Sequence, residues 1–308
     1  MEPIDEFINR SNSKNEIYYQ LLNDLGNCIE EIVNFGSNIV SWIMQIPQAK
    51  DDEIPCLLFL RNFLDELDGI SILIKYSSID TCNNLLRTAL ENFFYIEYIL
   101  EKNSYDRSMS FFVWNTFRNK KLYHRFDGIS KEYKLLLTSW QKDKFLKNSQ
   151  PIVIPDLAQL KIENKNLLDH PMYKPYTIEY ERTKKTIPNP EWYSLFDGPK
   201  NIQELANNLN YQIFYEILYR NWSASAHGTN ILDGKASRTN DNKLALYQIR
   251  MPNKKCIEVT QYCFNLSLII FKSIINKKFP DRIETYNQWY LKESKFILSL
   301  SDVKITKI

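Results

Sequence analysis

Apolar side chains recur at helical spacing through most of the chain. Between Ile17 and Ile46 they fall at Leu21, Leu22, Leu25, Ile29, Ile32, Val33, Ile39, Val40 and Ile43, a spacing of three and four that puts them on one stripe of an α-helix. The pattern predicts one long helix, or two broken near Gly36, ended by Pro47. The run Asp51-Asp52-Glu53 opens a second helix to about Tyr76, with Leu57, Leu60, Leu64, Leu67 and Ile74 inward, because carboxylates in a first turn suit the helix dipole. A third helix, capped by Ser78 or Asp80, carries Leu85, Leu86, Leu90, Phe93, Phe94, Ile96, Tyr98 and Ile99. Short connections make such helices antiparallel neighbours.

The helical pattern continues from Ser104 to Lys147, with an aromatic cluster at Phe111, Phe112, Trp114 and Phe117 and a break expected at Asp127-Gly128. From Gln150 to Pro199 the texture changes. Prolines at 151, 155, 171, 175, 188, 190 and 199 forbid one long helix. Loops and short helices are expected there, serving as a lid, a binding insert or a plain connector. Asn201 then caps a short helix through Leu209, a further helix runs from about Tyr211 to His227, and Gly228 ends it as the C′ residue. The polar stretch 231–250 holds one extended piece, Lys243 to Ile249, before two more helices over about Lys254–Lys277 and Arg282–Leu300. The expected fold is all-α. It is a multi-helix bundle in which an N-terminal part (1–150) and C-terminal helices (201–308) form one domain, with a Pro-rich, loop-rich insert (151–200) before the motif helix.

A hydrophobic fraction of 44%, with only 7 Gly and 12 Pro, fits a packed core and argues against disorder or a turn-rich β-sandwich. Lys and Arg total 39 against 37 Asp and Glu, so no long-range field draws the whole chain to nucleic acid and any basic surface is local. The pairs Lys120-Lys121, Lys184-Lys185 and Lys277-Lys278 read first as solvated faces. The acidic start MEPIDEFINR lacks the layout of a signal peptide, and the longest apolar stretch, Leu266 to Phe271, is far below the roughly 20 residues that span a bilayer. A cytoplasmic protein without a membrane segment is expected. Five scattered cysteines (Cys28, Cys56, Cys82, Cys256, Cys263), with no Cys-x-x-Cys pair, suit reduced core thiols. Neither a metal site nor a cofactor is expected.

The chain has no phosphate-binding Gly-rich loop, no His-Glu-x-x-His and no Gly-x-Ser-x-Gly. Of three histidines, His124 beside Arg125 and His170 before Pro171 read as surface residues. His227 differs in its neighbours, Arg220-Asn221-Trp222-Ser223-Ala224-Ser225-Ala226. Seven residues of α-helix return to within about 20° of the same face, roughly 10 Å along the axis, so one face offers a guanidinium and an imidazole separated by small residues. A helix C-terminus also favours a cation. Two readings fit: a capping histidine with a surface arginine, or a site.

Arg220, Asn221 and His227 together resemble the Arg-x(4–6)-His motif of the HEPN superfamily (higher eukaryotes and prokaryotes nucleotide-binding). In that superfamily the motif lies on a late helix of a bundle, and many members are metal-independent endoribonucleases that pair two copies around one cleft. The resemblance implies an RNA-cleaving homodimer with His227, Arg220 and Asn221 catalytic, possible toxin or phage-defence roles, and a neutralising or sensor partner. A second resemblance covers about Leu57 to Gly228. Leu86-Arg87-Thr88-Ala89-Leu90-Glu91, Trp192, Leu205-Ala206, Tyr215 to Tyr219, Ser223 and His227-Gly228 look like an uncharacterised bacterial helical family, a domain of unknown function (5677). It brings Arg87, Glu91 and Ser223 forward as supporting residues. By themselves Arg87 and Glu91, four apart, read as an intrahelical ion pair. The competing class is a non-catalytic helical module that binds a nucleotide or a partner.

Overall fold

The computed structural model describes residues 16–46, 53–229, 235–238, 240–250 and 254–300. The expected stop at Pro47, the acidic pair Asp51-Asp52 and the start of the polar stretch at Ile231 lie outside the described residues. The first apolar stripe forms one unbroken helix, α1 (Glu16–Met44). Its most buried residues, Leu22, Leu25, Ile29, Ile32, Ile39 and Ile43, keep alternating steps of three and four, and Gly36 completes that series. A side chain at Gly36 would collide with Leu64 and come within 2.9 Å of the Phe271 ring. The glycine is therefore a point of close helix approach, and the helix passes through it without a break.

Two further helices follow, α2 (Glu53–Lys75) and α3 (Ile79–Glu101). Ser78 stands at the N-cap of α3. Helix α3 is buried on nearly all sides in its second half, where Leu90, Phe93, Phe94, Ile96 and Ile99 are sealed from solvent. From residue 202 on the chain adds α8 (Ile202–Asn208), α9 (Arg220–Ala226), a two-stranded antiparallel ribbon β1 (Ala236–Arg238) with β2 (Leu244–Leu246), α10 (Lys255–Lys278) and α11 (Ile283–Ser299). Helix α10 packs on α1 and α3, and α9 packs on α3. Phe35 of α1 stacks on Trp289 of α11 at 4.4 Å. Residues 1–103 and 205–308 make one compact unit, and its five cysteines are free and buried.

Residues 104–204 make a second compact unit, built from α4 (Ser104–Phe126), α5 (Lys131–Lys142), α6 (Leu157–Asp169), α7 (Lys174–Lys184) and a 3-10 turn at Trp192–Ser194. The break at Asp127-Gly128 falls between α4 and α5. Prolines punctuate the short helices as their geometry requires: Pro171 follows the C-cap of α6, and Pro175 opens α7, where a missing N–H costs nothing. Met109, Val113, Phe117, Leu168, Tyr176, Tyr180 and Leu195 form its core, with Phe117 and Tyr180 stacked at 4.0 Å. The buried Glu179 carboxylate is satisfied by Arg182, Thr183 and the Phe196 amide, which holds its pKa below the ordinary glutamate value.

The eleven α-helices and one small ribbon found among the described residues make the chain an all-α protein. Among those residues no helix is long and apolar enough to cross a membrane.

The seam at Gly36 leaves no room for a side chain, so Gly36→Val is expected to destabilise the protein by about 1–3 kcal/mol through overpacking, read as a lower urea midpoint. A second expectation concerns Glu97 of α3. Burial raises its pKa, while hydrogen bonds from Ser273 and Tyr211 pull it down, and its Oε1 is buried with no partner among the described residues. Because the folded-state value exceeds the unfolded one, the stabilising contribution is full below the ordinary glutamate range and is lost as pH rises through the raised value. Glu97→Gln should raise the urea midpoint at neutral pH and flatten its pH dependence across that window.

Candidate functional site

The helix that carries the Arg220–His227 segment is not regular. Residues Phe214–Tyr219 form a π-helical turn, and the Arg220 amide bonds to the Tyr215 carbonyl five residues back. Regular α-helix resumes at Arg220. The π turn changes the rotational phase between the two halves of the segment. Before it, Tyr211 and Phe214 pack on Phe93 of α3. After it, Trp222 is buried edge-on against Tyr262 of α10 at 5.4 Å, and Ser225 accepts a hydrogen bond from Asn83 of α3 at 3.2 Å.

Tyr219 sets that phase. Its hydroxyl donates to Glu91 Oε1 at 2.8 Å and accepts from Arg87 Nη2 at 3.1 Å, while Arg87 and Glu91 also pair directly at 3.1 Å. The Arg87 guanidinium lies 5.3 Å from the Tyr219 ring centre, close enough for a cation–π attraction. Burial pushes the Tyr219 phenol up to about 12, so it remains a hydrogen-bond donor at neutral pH. The pair read from sequence as an intrahelical ion pair is thus also the anchor of the motif helix.

With Tyr219 and Trp222 turned inward, the positions at i, i+3, i+4 and i+7 from Arg220 face outward. Arg220, Ser223, Ala224 and His227 line one open depression of about 380 Å³, together with Tyr215, Tyr219 and Thr229. Tyr215 stacks on Tyr219 at 5.1 Å and continues this aromatic wall. Arg220 is exposed and paired with Glu216 at 2.9 Å, both side chains being solvated. Such a pair is weak in water, and a guanidinium with five N–H donors has others free for an incoming anion.

The end of α9 is built by a Schellman motif. His227 is the C-cap residue, Gly228 follows at φ +66°, the Gly228 amide bonds to the Ser225 carbonyl and the Thr229 amide to the Ala224 carbonyl. Capping is therefore done by the backbone and by Gly228, and His227 is exposed and lines the depression.

The structure brings Arg220, Ser223 and His227 together. Arg87 and Glu91 do not line the depression but reach its wall through Tyr219. Asn221, which the superfamily resemblance implies is catalytic, is exposed and does not line the depression; one residue on from Arg220, it is turned about 100° away. Glu91, brought forward as a supporting residue, is engaged by Tyr219 and Arg87. His124 and His170 are exposed, as read from sequence. Tyr219 escaped sequence reasoning as a site residue: it stands only within the stretch Tyr215 to Tyr219 of the family resemblance, and the partners of its hydroxyl lie on α3, far away along the chain.

Among the described residues no three His, Cys, Asp or Glu side chains converge to hold a metal ion. Fold and site together define an all-helical protein that displays an arginine and a histidine on a Gly-capped late helix. The chain belongs to a family of unknown function (DUF5677), whose profile matches residues 53–243. No curated protein and no solved structure showed a match.

Tyr219→Phe removes both hydrogen bonds of the hydroxyl while leaving Arg87 and Glu91 paired. It is expected to cost about 1–3 kcal/mol in chemical denaturation and to increase amide exchange in residues 220–226 more than in α1.

Proposed function

We propose that the chain is a HEPN-like, metal-independent endoribonuclease acting through Arg220 and His227. The single observation that supports this reading is that Arg220 and His227 line one open depression. RNA carries its own nucleophile, the ribose 2′-hydroxyl. His227 takes the proton from that hydroxyl as it attacks the phosphorus, and Arg220 holds the phosphate oxygens as charge builds on them. The P–O5′ bond breaks, leaving a 2′,3′-cyclic phosphate on one fragment and a 5′-hydroxyl on the other. Tyr215, half-buried in the wall of the depression, offers a ring for a single-stranded base. Asn221 enters only as a neighbour of the site.

One imidazole cannot both accept the 2′-hydroxyl proton and supply a proton to the departing oxygen at the same moment. A homodimer that sets two depressions across one cleft provides the second. The exposed pair Ile213 and Ile217, one turn apart on the same helix, gives such a dimer an apolar contact. A growth-arresting role in phage defence, with a neutralising or sensor protein as partner, follows from the superfamily resemblance alone.

Purified protein incubated with total RNA in EDTA is expected to yield cyclic-phosphate ends. His227→Ala should lower the rate by roughly 10²–10⁴-fold, the range for loss of a general acid or base. Intact RNA with the unaltered protein overturns the nuclease reading, and RNA retained uncut supports the non-catalytic binding module instead.

A further inference from the structure

The near-zero net charge of the whole chain conceals an asymmetry. Between Ser104 and Glu204 there are 17 Lys and Arg against 12 Asp and Glu, while the remaining residues hold 22 against 25. The second unit is basic, and it contains a cavity of about 380 Å³ between α4, α6 and α7, within the size range of small-molecule pockets. Its floor is apolar: the Phe117 ring, held in place by its stack on Tyr180, and Leu168. Basic groups stand on two of its walls. Lys120 and His124 lie one turn apart on α4, and Lys161 and Lys165 one turn apart on α6.

The acidic groups near this cavity offset these cations only in part. Lys161 is paired with Asp127, which fixes its ammonium in place and still leaves N–H donors unspent. Asp169 faces Lys174, which is not among the lining residues, at 3.7 Å. Glu181 is exposed at the rim. Lys120 on α4, whose Nζ lies 5.7 Å from the Phe117 ring centre, and Lys165 on α6 both line the cavity. A phosphate monoester, carrying about −1.5 to −2 charge at neutral pH, satisfies cations from two walls where a single carboxylate satisfies fewer.

We propose that the cavity between α4, α6 and α7 binds a small phosphate monoester with a flat aromatic or heterocyclic body, the phosphate held by Lys120, Lys161 and Lys165 and the body seated on Phe117 and Leu168. This site is independent of the Arg220–His227 depression and stands whether or not the chain cleaves RNA.

Titration calorimetry of the full chain with adenosine 5′-monophosphate at low salt tests it. One-site saturable binding is expected, weakened about tenfold or more by Lys120→Glu with Lys165→Glu and by a smaller factor by the paired Gln substitutions. All four changes replace exposed side chains, and circular dichroism with thermal melting checks that the variants are folded. Arg220→Ala and His227→Ala should leave the affinity unchanged. Absence of saturable heat at millimolar nucleotide overturns the proposal, as does equal affinity in the Lys120/Lys165 variants or loss of binding in Arg220→Ala. Adenosine bound as tightly as the monophosphate overturns the role of the lysines, and inorganic phosphate bound as tightly overturns that of the apolar floor.

Discussion

The phenol of Tyr219 lies between Arg87 and Glu91, and this triad determines how the segment bearing Arg220 and His227 is turned about its axis. A helix of only seven residues, α9 has little stability of its own in water. It persists because one face is tied to α3 and α10 through Tyr219, Trp222 and Ser225. The opposite face is free by consequence. If the anchoring side chains moved by one residue, Arg220 would turn toward α3, where the Arg87 guanidinium already pairs with Glu91.

The π turn at Phe214–Tyr219 is the backbone's accommodation to two sets of partners. The aromatic residues before it pack on Phe93, and those after it pack on Arg87, Glu91 and Tyr262. Inserting the wider turn lets each set keep its contacts where one regular helix would have to compromise. It lies directly next to the candidate site, and it gives Tyr215 and Tyr219 their stacked arrangement along the wall of the depression.

Charge acts in two ways. Around Tyr219 an arginine and a glutamate are partly withdrawn from water, and each has a defined partner. At Arg220, whose Glu216 partner is itself solvated, and at Lys120 and Lys165 over the α4–α6–α7 cavity the cations are exposed, and an anionic ligand can engage them. Withdrawn charges of the first kind hold elements in register, whereas solvated charges of the second kind are available for recognition.

Much of the fold was legible along the chain because helical burial repeats locally. The stripe in α1, the break at Asp127-Gly128, the Asn201 cap, which accepts the Glu204 amide at 2.9 Å, and the Gly228 terminus each depend on residues within one or two turns. The shared face of Arg220, Ser223 and His227 was legible for the same reason. Other features were not. Gly36 read as a possible break, but Leu64 and Phe271, distant in sequence, make it a close-packed seam. Tyr219 stood in the sequence only within the Tyr215 to Tyr219 stretch of the family resemblance, and nothing local reveals that its hydroxyl meets a pair 128 and 132 residues away. The sequence by itself determined where the helices lie and which side chains share a face, since both follow from backbone periodicity. Only the tertiary structure decided which face is turned to solvent and which lysines meet over one cavity, because those depend on contacts between segments whose separation along the chain carries no record of their distance in space.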